Sequence, residues 1–204
     1  NTGTAVGEGG TILRTTNGGT TWISQTSGTT THLSGVSLVD ANNGTAVGTG
    51  GIILKTTNGG VHWISQLNGT ERMLQGVSAT DVNNCTAVGE NGTILRTTNG
   101  GINWIPQISG TTHSLFGVSF SDANNGTAVG DGATILRTTN GGSSWILQVS
   151  GTSDWLQGVS FTDANYGNAV GDNGTILRTT NSGINWVPQV SGTTSALFSG
   201  RFTD

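Results

Sequence analysis

The chain has 204 residues, a formal net charge of −4, 35 glycines and a charged fraction of only 9%. Seven basic residues against eleven acidic ones argue against a nucleic-acid partner, and no apolar run is long enough to insert into a membrane as a helix. The single cysteine, Cys85, excludes an intramolecular disulfide framework and a cysteine-cluster metal site.

A 41-residue repeat organises the sequence. The repeat carries a tryptophan, a basic residue and an aspartate, at Trp22, Trp63, Trp104, Trp145 and Trp186; at Arg14, Lys55, Arg96, Arg137 and Arg178; and at Asp40, Asp81, Asp122, Asp163 and Asp204. Leu- and Ala-rich helical segments are absent, so this period favours the four-stranded blade of a β-propeller.

The predicted strands follow the repeat from one end of the chain to the other. Residues 1–6 form the turn before a second strand and the strand itself, so the first unit lacks its own first strand. The unit that begins at Leu115 is typical: β-branched and aromatic runs predict strands at 115–120, 127–130, 134–139 and 143–149. They are separated by Asp/Asn- and Gly-rich turns, the last of them an Asn-Gly-Gly hairpin. Residues 197–204 match the first strand that the N-terminal unit lacks.

We therefore predict a single all-β domain over residues 1–204, a five-bladed β-propeller with four antiparallel strands per blade. The C-terminal strand at 197–204 is expected to join the N-terminal blade and close the ring. Two alternatives stay open: the chain is a fragment of a longer array, or an open set of blades closes by pairing with another chain.

Two runs of the repeat carry a family resemblance. Residues 92–104 resemble the Asp-box hairpin of BNR-type propellers, and with residues 124–130 the sequence is similar to photosystem II stability/assembly-factor-like propellers. The resemblance implies a propeller fold, and bacterial proteins with this signature are often secreted or surface-attached. The usual box aspartate is replaced by asparagine at Asn17, Asn58, Asn99, Asn140 and Asn181. Asparagine can still make the turn hydrogen bonds.

Differences between the units indicate where a ligand would bind. Because strands alternate in direction, the fourth-to-first connections and the second-to-third turns are expected at one face, and these are the segments that differ between blades. Trp155 is the best anchor, since an exposed aromatic ring is a common contact for sugars and proteins. The ligand-binding candidates are Trp155, Asp154, His32, Arg72, Met73, His113, Glu8, Glu90, Asp131 and Asp172. The alternative is that these loop residues are solvated and differ between blades through neutral drift, without binding a ligand.

Two further sets of residues, the repeated cations and the Asn-x-Thr sequons, have interpretations that do not involve ligand binding. The basic residues of the Arg14 set are expected to pair with the Asp40 set or to cover the tryptophan rings. Six Asn-x-Thr sequons are possible glycosylation sites, although Asn-Gly is also the expected tight turn: Asn43, Asn68, Asn84, Asn91, Asn125 and Asn173.

The sequence predicts no enzyme, because its chemically useful residues are either copied in every blade or scattered among loops. No cofactor is expected, and the three histidines form no metal motif. We predict an extracellular or cell-surface scaffold that binds a protein partner or a glycan, with self-association possible. A structural subunit of a surface layer or filament is the alternative.

Overall fold

A computed structural model describes residues 1–201, and nearly all of the regular structure is β. The first sheet has three strands, β1 (Gly3–Val6), β2 (Ile12–Thr15) and β3 (Ile23–Gln25). The second has four, β4 (Leu33–Leu38), β5 (Gly44–Gly48), β6 (Ile53–Thr56) and β7 (Ile64–Ser65).

Three more four-stranded sheets follow in the same order. They comprise β8 (Leu74–Ala79), β9 (Cys85–Gly89), β10 (Ile94–Thr97) and β11 (Ile105–Pro106); β12 (Leu115–Phe120), β13 (Gly126–Gly130), β14 (Ile135–Thr138) and β15 (Ile146–Gln148); and β16 (Leu156–Phe161), β17 (Gly167–Gly171), β18 (Ile176–Thr179) and β19 (Val187–Gln189). Strands are hydrogen-bonded in sequence order within each sheet. Short 3₁₀ turns lie at Glu8–Gly10, Thr49–Gly51, Glu90–Gly92 and Asp172–Gly174. The predicted all-β class and the four-stranded antiparallel repeat are confirmed.

The chain divides into two compact units. Unit 1 comprises residues 1–87 and 95–105, and unit 2 comprises residues 88–94 and 106–204. The third sheet contributes to both. In unit 1, β4 contacts β1 and β8; in unit 2, β12 contacts β16. The first strands of successive blades therefore lie side by side within each unit.

Each unit has an apolar core built from the same repeat positions. In unit 2 the core residues come from neighbouring sheets, so that one blade buries the face of the next: Val129, Ile135, Leu156, Ala169, Leu177 and Trp186 form one such cluster. In unit 1 the equivalent cluster is Ile12, Leu33, Ala46, Leu54 and Trp63. A single blade has no partner for its apolar face, which is why the repeat folds as an array.

The C-terminal segment differs from the prediction. Leu197 donates its N–H to the Gly171 carbonyl at 2.9 Å, and the Phe198 carbonyl lies against Gly158 of β16, where a Cβ would be 2.8 Å from it. The segment therefore takes the place beside β16 that a following first strand would occupy. Residues 197–201 nevertheless form no strand, because the described part of unit 2 has no further second strand to pair with them. Residues 202–204 of the predicted strand lie outside the described residues, and ring closure stays a prediction.

In unit 1, two basic residues of the repeat contact the backbone of the aspartate-bearing turn of the next blade. The Arg14 guanidinium donates to the Ala41 carbonyl of the next blade, and Lys55 Nζ donates to the Val82 carbonyl at 2.7 Å. Both cations therefore bind the backbone of the aspartate-bearing turn instead of its carboxylate. The Asp40 carboxylate itself accepts bonds from the N–H groups of Asn42 and Asn43 within its own turn.

Candidate ligand-binding face

Backbone hydrogen bonds bring the variable loops together at one end of each sheet. Asp131 donates its N–H to the Ser114 carbonyl at 2.9 Å, and Asp172 donates to the Trp155 carbonyl at 2.9 Å. In unit 1, Thr49 donates to the His32 carbonyl at 3.0 Å. In these three sheets the connection that enters the first strand therefore adjoins the second-to-third turn, as the strand directions predict.

The repeated loops adjoin at the opposite end. Gly141 donates its N–H to the Asn124 carbonyl and Ser182 donates to the Asn165 carbonyl, each at 2.9 Å. These bonds join the hairpins between third and fourth strands to the aspartate-bearing turns. The two ends of a first strand of six residues are roughly 20 Å apart.

An aromatic pair marks the variable end of unit 2. The Trp155 side chain is 50% exposed, and its ring centroid lies 6.0 Å from that of Phe116, with 48° between the ring planes. Phe116 is the second residue of β12 and is half-buried. The tilted contact orders the indole while leaving half of it open to solvent, which is the arrangement expected of a binding anchor.

We name this end of unit 2 the Trp155 face: the connections 111–116 and 152–157 together with the turns 90–92, 131–134 and 172–174. Gln157 donates its side-chain N–H to Asp172 Oδ1 at 2.9 Å and so fixes that carboxylate. Trp155 and Asp172 are already joined through the backbone. The aromatic pair and an ordered carboxylate therefore share one edge of the face.

Asp154 braces the same face and is less available to a ligand. Its carboxylate accepts bonds from the Thr175 hydroxyl at 2.6 Å, the Asn173 amide at 2.8 Å and the Thr152 hydroxyl at 3.1 Å. These bonds favour the ionised form, so the pKa of Asp154 is lowered from its ordinary value. The carboxylate therefore links the connection to the neighbouring turn.

His113 locks the turn of the fourth sheet. Its Nδ1 lies 3.1 Å from the Asp131 carbonyl, 3.0 Å from Thr134 Oγ1 and 3.4 Å from Asp131 Oδ1. This turn has no 3₁₀ helix, and Ala133 replaces the glycine that the other four turns place at this position. His113 and Ala133 line one groove of about 690 Å³, which extends along Leu147 to Val149.

The remaining candidates lie in unit 1 or next to β12. His32 is half-buried and held through its carbonyl, and the exposed Arg72 donates its N–H to Thr70 Oγ1 at 3.1 Å. Met73 is half-buried and Glu8 is exposed at the start of its turn. Glu90 begins the turn that contacts β12 in unit 2. The structure thus gathers Trp155, Asp154, His113, Asp131, Asp172 and Glu90 on unit 2, and places His32, Arg72, Met73 and Glu8 on unit 1.

Five of the six sequons use their amide nitrogen in a turn. Asn43, Asn84 and Asn125 donate to Asp40, Asp81 and Asp122 at 2.8–2.9 Å, Asn68 donates to the Gly51 carbonyl at 2.7 Å, and Asn173 donates to Asp154. Asn91 has a positive φ of 52° in its turn. These contacts support turn formation as the role of the repeated asparagines, and glycosylation stays a prediction.

Neither a metal cluster nor a membrane-spanning helix is found in the described residues. Within positions 1–201, no three His, Cys, Asp or Glu side chains are grouped so that they could hold a metal ion. No helix in that range is long and apolar enough to cross a bilayer.

Sequence reasoning missed two kinds of residue. Phe116 and Gln157 occupy the second position of successive first strands, where the side chain differs between blades, and that variation could have identified them. A repeated glutamine also went unnoticed, although it keeps the 41-residue step. Gln107 Oε1 accepts the Trp145 indole N–H at 3.3 Å, and Gln25 accepts that of Trp63 at 3.2 Å.

The family model described as photosynthesis system II assembly factor YCF48 matches residues 1–116 and 109–187. The chain belongs to the YCF48 family. Two solved YCF48 structures are similar to it. YCF48 from Cyanidioschyzon merolae has a TM-score of 0.74 at 19% identity, over 97% of this chain and 72% of that one. YCF48 bound to D1 peptide has a TM-score of 0.67 at 20% identity, over 85% of this chain.

Other similar structures share the fold only. The WD40 repeats of RRP9 give a TM-score of 0.80 at 10% identity, over 98% of this chain and 66% of that chain. An ancestral GH74 enzyme gives a TM-score of 0.69 at 18% identity, over 96% of this chain and 32% of that chain. No curated protein sequence matches the chain. The chain spans 59% of the YCF48 chain solved with the D1 peptide.

Family membership corrects the predicted location. The prediction of an extracellular or cell-surface protein is wrong, because YCF48 proteins are assembly factors of photosystem II and not components of a cell surface. The surface-layer alternative relied on the same location and loses its support.

Proposed function

We propose that this chain is a non-catalytic binding module whose Trp155 face holds an extended segment of a partner protein. The observation that carries the proposal is the half-exposed Trp155 ring, ordered against Phe116 at the end of the sheet where the blades differ. Large aromatic side chains in ordered surroundings supply much of the binding energy at protein interfaces.

Family membership supports a protein ligand. A YCF48 structure 20% identical to this chain is described as bound to D1 peptide, so a propeller of this family can accept a peptide. The open, loop-built form of the Trp155 face suits a chain that lies across it. Several polar groups of this face hydrogen-bond to one another: Gln157 donates to Asp172, and Thr175 donates to Asp154. Such bonds hold the loops in place, and they do not form a catalytic arrangement of nucleophile, acid and base.

The proposal is tested by selecting binders for the whole chain from a random dodecapeptide library displayed on phage. Trp155→Ala is expected to weaken binding of the selected peptides at least about tenfold, since anchor truncation costs about 2 kcal/mol or more. Tyr166→Ala is the matched control: Tyr166 is 47% exposed, but it lies in the turn at the opposite end of the same sheet.

Three outcomes separate the possible ligands. Selected peptides that bind Trp155→Ala as tightly as the native chain contradict the proposed face. Equal losses in both variants indicate a general effect on the fold and also contradict it. Trp155-dependent binding on a glycan array, with no peptide binders selected, would replace the protein segment by a carbohydrate.

A further inference from the structure

The net charge of the protein is concentrated in unit 2. Unit 1 has four acidic and four basic residues, whereas unit 2 has seven acidic and three basic residues, which accounts for the whole net charge of −4. A cationic ligand is therefore attracted to unit 2 in particular.

Within unit 2, Arg137 and Arg178 lie at the end of their sheets opposite the Trp155 face. Arg137 Nη2 donates to Asn125 Oδ1 at 3.4 Å, in the turn at the opposite end of the sheet, and Arg178 occupies the equivalent position in β18. Arg201 is four residues beyond Leu197, whose N–H bonds the Gly171 carbonyl at the variable end. No Lys or Arg of the described part of unit 2 belongs to the Trp155 face, which carries four carboxylates: Glu90, Asp131, Asp154 and Asp172.

Two of these carboxylates belong to turns that adjoin the connections leading to the aromatic pair, and the Asp131 carboxylate also lies 3.4 Å from His113 Nδ1. Asp172 bonds the Trp155 carbonyl through its backbone and Gln157 through its side chain. Asp131 adjoins the connection that leads to Phe116, through its backbone bond to Ser114. The aromatic rings and the carboxylates are therefore carried by adjoining loops at one end of unit 2. An aromatic face attracts a cation through its quadrupole, and a nearby carboxylate adds direct attraction.

We propose that the Trp155 face selects a basic segment, with a lysine or arginine side chain lying against Trp155 near Asp131 and Asp172. This inference rests on the proposed function and names the chemistry of its ligand. The stem of a lysine or arginine covers apolar ring surface while its charged end stays solvated beside a carboxylate. A neutral or acidic segment gains only the ring contact.

The test measures what the face selects. Among phage dodecapeptides retained by the native chain and lost on Trp155→Ala, lysine and arginine are expected to be enriched over the unselected library. The strongest peptide is then synthesised, together with versions in which every Lys and Arg is replaced by Gln or by Glu. We expect the Gln version to bind at least about fivefold more weakly and the Glu version to show no measurable binding.

A charge variant locates the contact. Asp172→Asn keeps an oxygen that can accept the Gln157 bond but removes the charge, and it is expected to weaken the basic peptide about two- to fivefold. Asp163→Asn makes the same change at the opposite end of the sheet, where Asp163 accepts the Asn165 and Tyr166 N–H groups, and is expected to leave binding unchanged. Raising the salt concentration should weaken native binding and narrow the difference between the variants.

The outcomes distinguish the two proposals. Trp155-dependent peptides without basic enrichment, or equal losses for Asp172→Asn and Asp163→Asn, overturn the basic-segment inference and leave the proposed function standing. If no Trp155-dependent peptide is selected, both fail.

Discussion

Gly92 ends the turn at 90–92 in unit 2, in a conformation that leaves no room for a side chain. Its φ is +67°, and an added Cβ would lie 2.1 Å from the Thr111 carbonyl oxygen, where ordinary contact begins at 3.4 Å. The fourth sheet provides a natural comparison, because Ala133 occupies the equivalent position with a φ of 57°.

Gly92→Ala is expected to lower the free energy of unfolding by about 2–3 kcal/mol. Left-handed backbone costs a non-glycine residue about 1–2 kcal/mol. The Thr111 loop must also move by more than an ångström, which disrupts the bond from the Ser109 hydroxyl to the Thr111 carbonyl, worth about 1 kcal/mol. The reverse change, Ala133→Gly, relieves strain but gains freedom in the unfolded chain, so its effect should be within about 1 kcal/mol.

Urea unfolding of the two variants and the native chain measures both changes. Thermal unfolding should show a fall of about 4–12 °C for Gly92→Ala in a chain of this size. A loss below about 0.5 kcal/mol for Gly92→Ala would show that the Thr111 loop yields without cost. The reasoning from Cβ contacts would then be refuted.

Three further predictions concern single groups. A bond from the Asn125 side chain lowers the pKa of Asp122 below 3.8. The stability that the ionised Asp122 contributes is therefore present above pH 3.8 and is lost as the pH falls through the lower pKa of the folded state. Asp122→Asn should flatten the acid side of a curve of unfolding free energy against pH. Burial raises the pKa of the Cys85 thiol to about 12, so iodoacetamide at pH 8 should leave the folded chain unmodified by intact mass and label it in urea. Gln107→Met should strand the Trp145 indole N–H and lower the free energy of unfolding by about 1–3 kcal/mol in the same urea assay, whereas an unchanged midpoint would contradict the bond.

The blade could be predicted from sequence because its signals are local and repeated. The run from Leu115 to Phe120 is rich in apolar and aromatic residues and is followed by an Asp/Asn turn, and the strand has those bounds in the structure. Turn chemistry located the next three strands to within three residues at each end, since Asx and glycine residues specify turns through their own backbone.

The ligand face could be predicted only in part. Trp155 was identifiable because it stands alone in a variable connection. Its partner Phe116 is 39 residues earlier and belongs to another blade, so their contact depends on how two first strands pack. The hydrogen bond from Arg14 to a carbonyl could not be predicted either. The local sequence does not show that the Asp40 carboxylate accepts a hydrogen bond from the Asn42 N–H of its own turn. Closure of the ring by residues 197–204 stays a prediction, because strand-forming residues do not by themselves specify a pairing partner.

Fluorine NMR of the 5-fluorotryptophan-labelled chain tests the binding face most directly. The six tryptophans give one resonance each, and Trp155→Phe assigns the one of interest. Trp22, 46% exposed, belongs to the repeat and serves as an internal control. On titration with a selected dodecapeptide, the Trp155 resonance should shift saturably while that of Trp22 stays in place. Saturable peptide binding that leaves the Trp155 resonance unmoved would contradict the central claim.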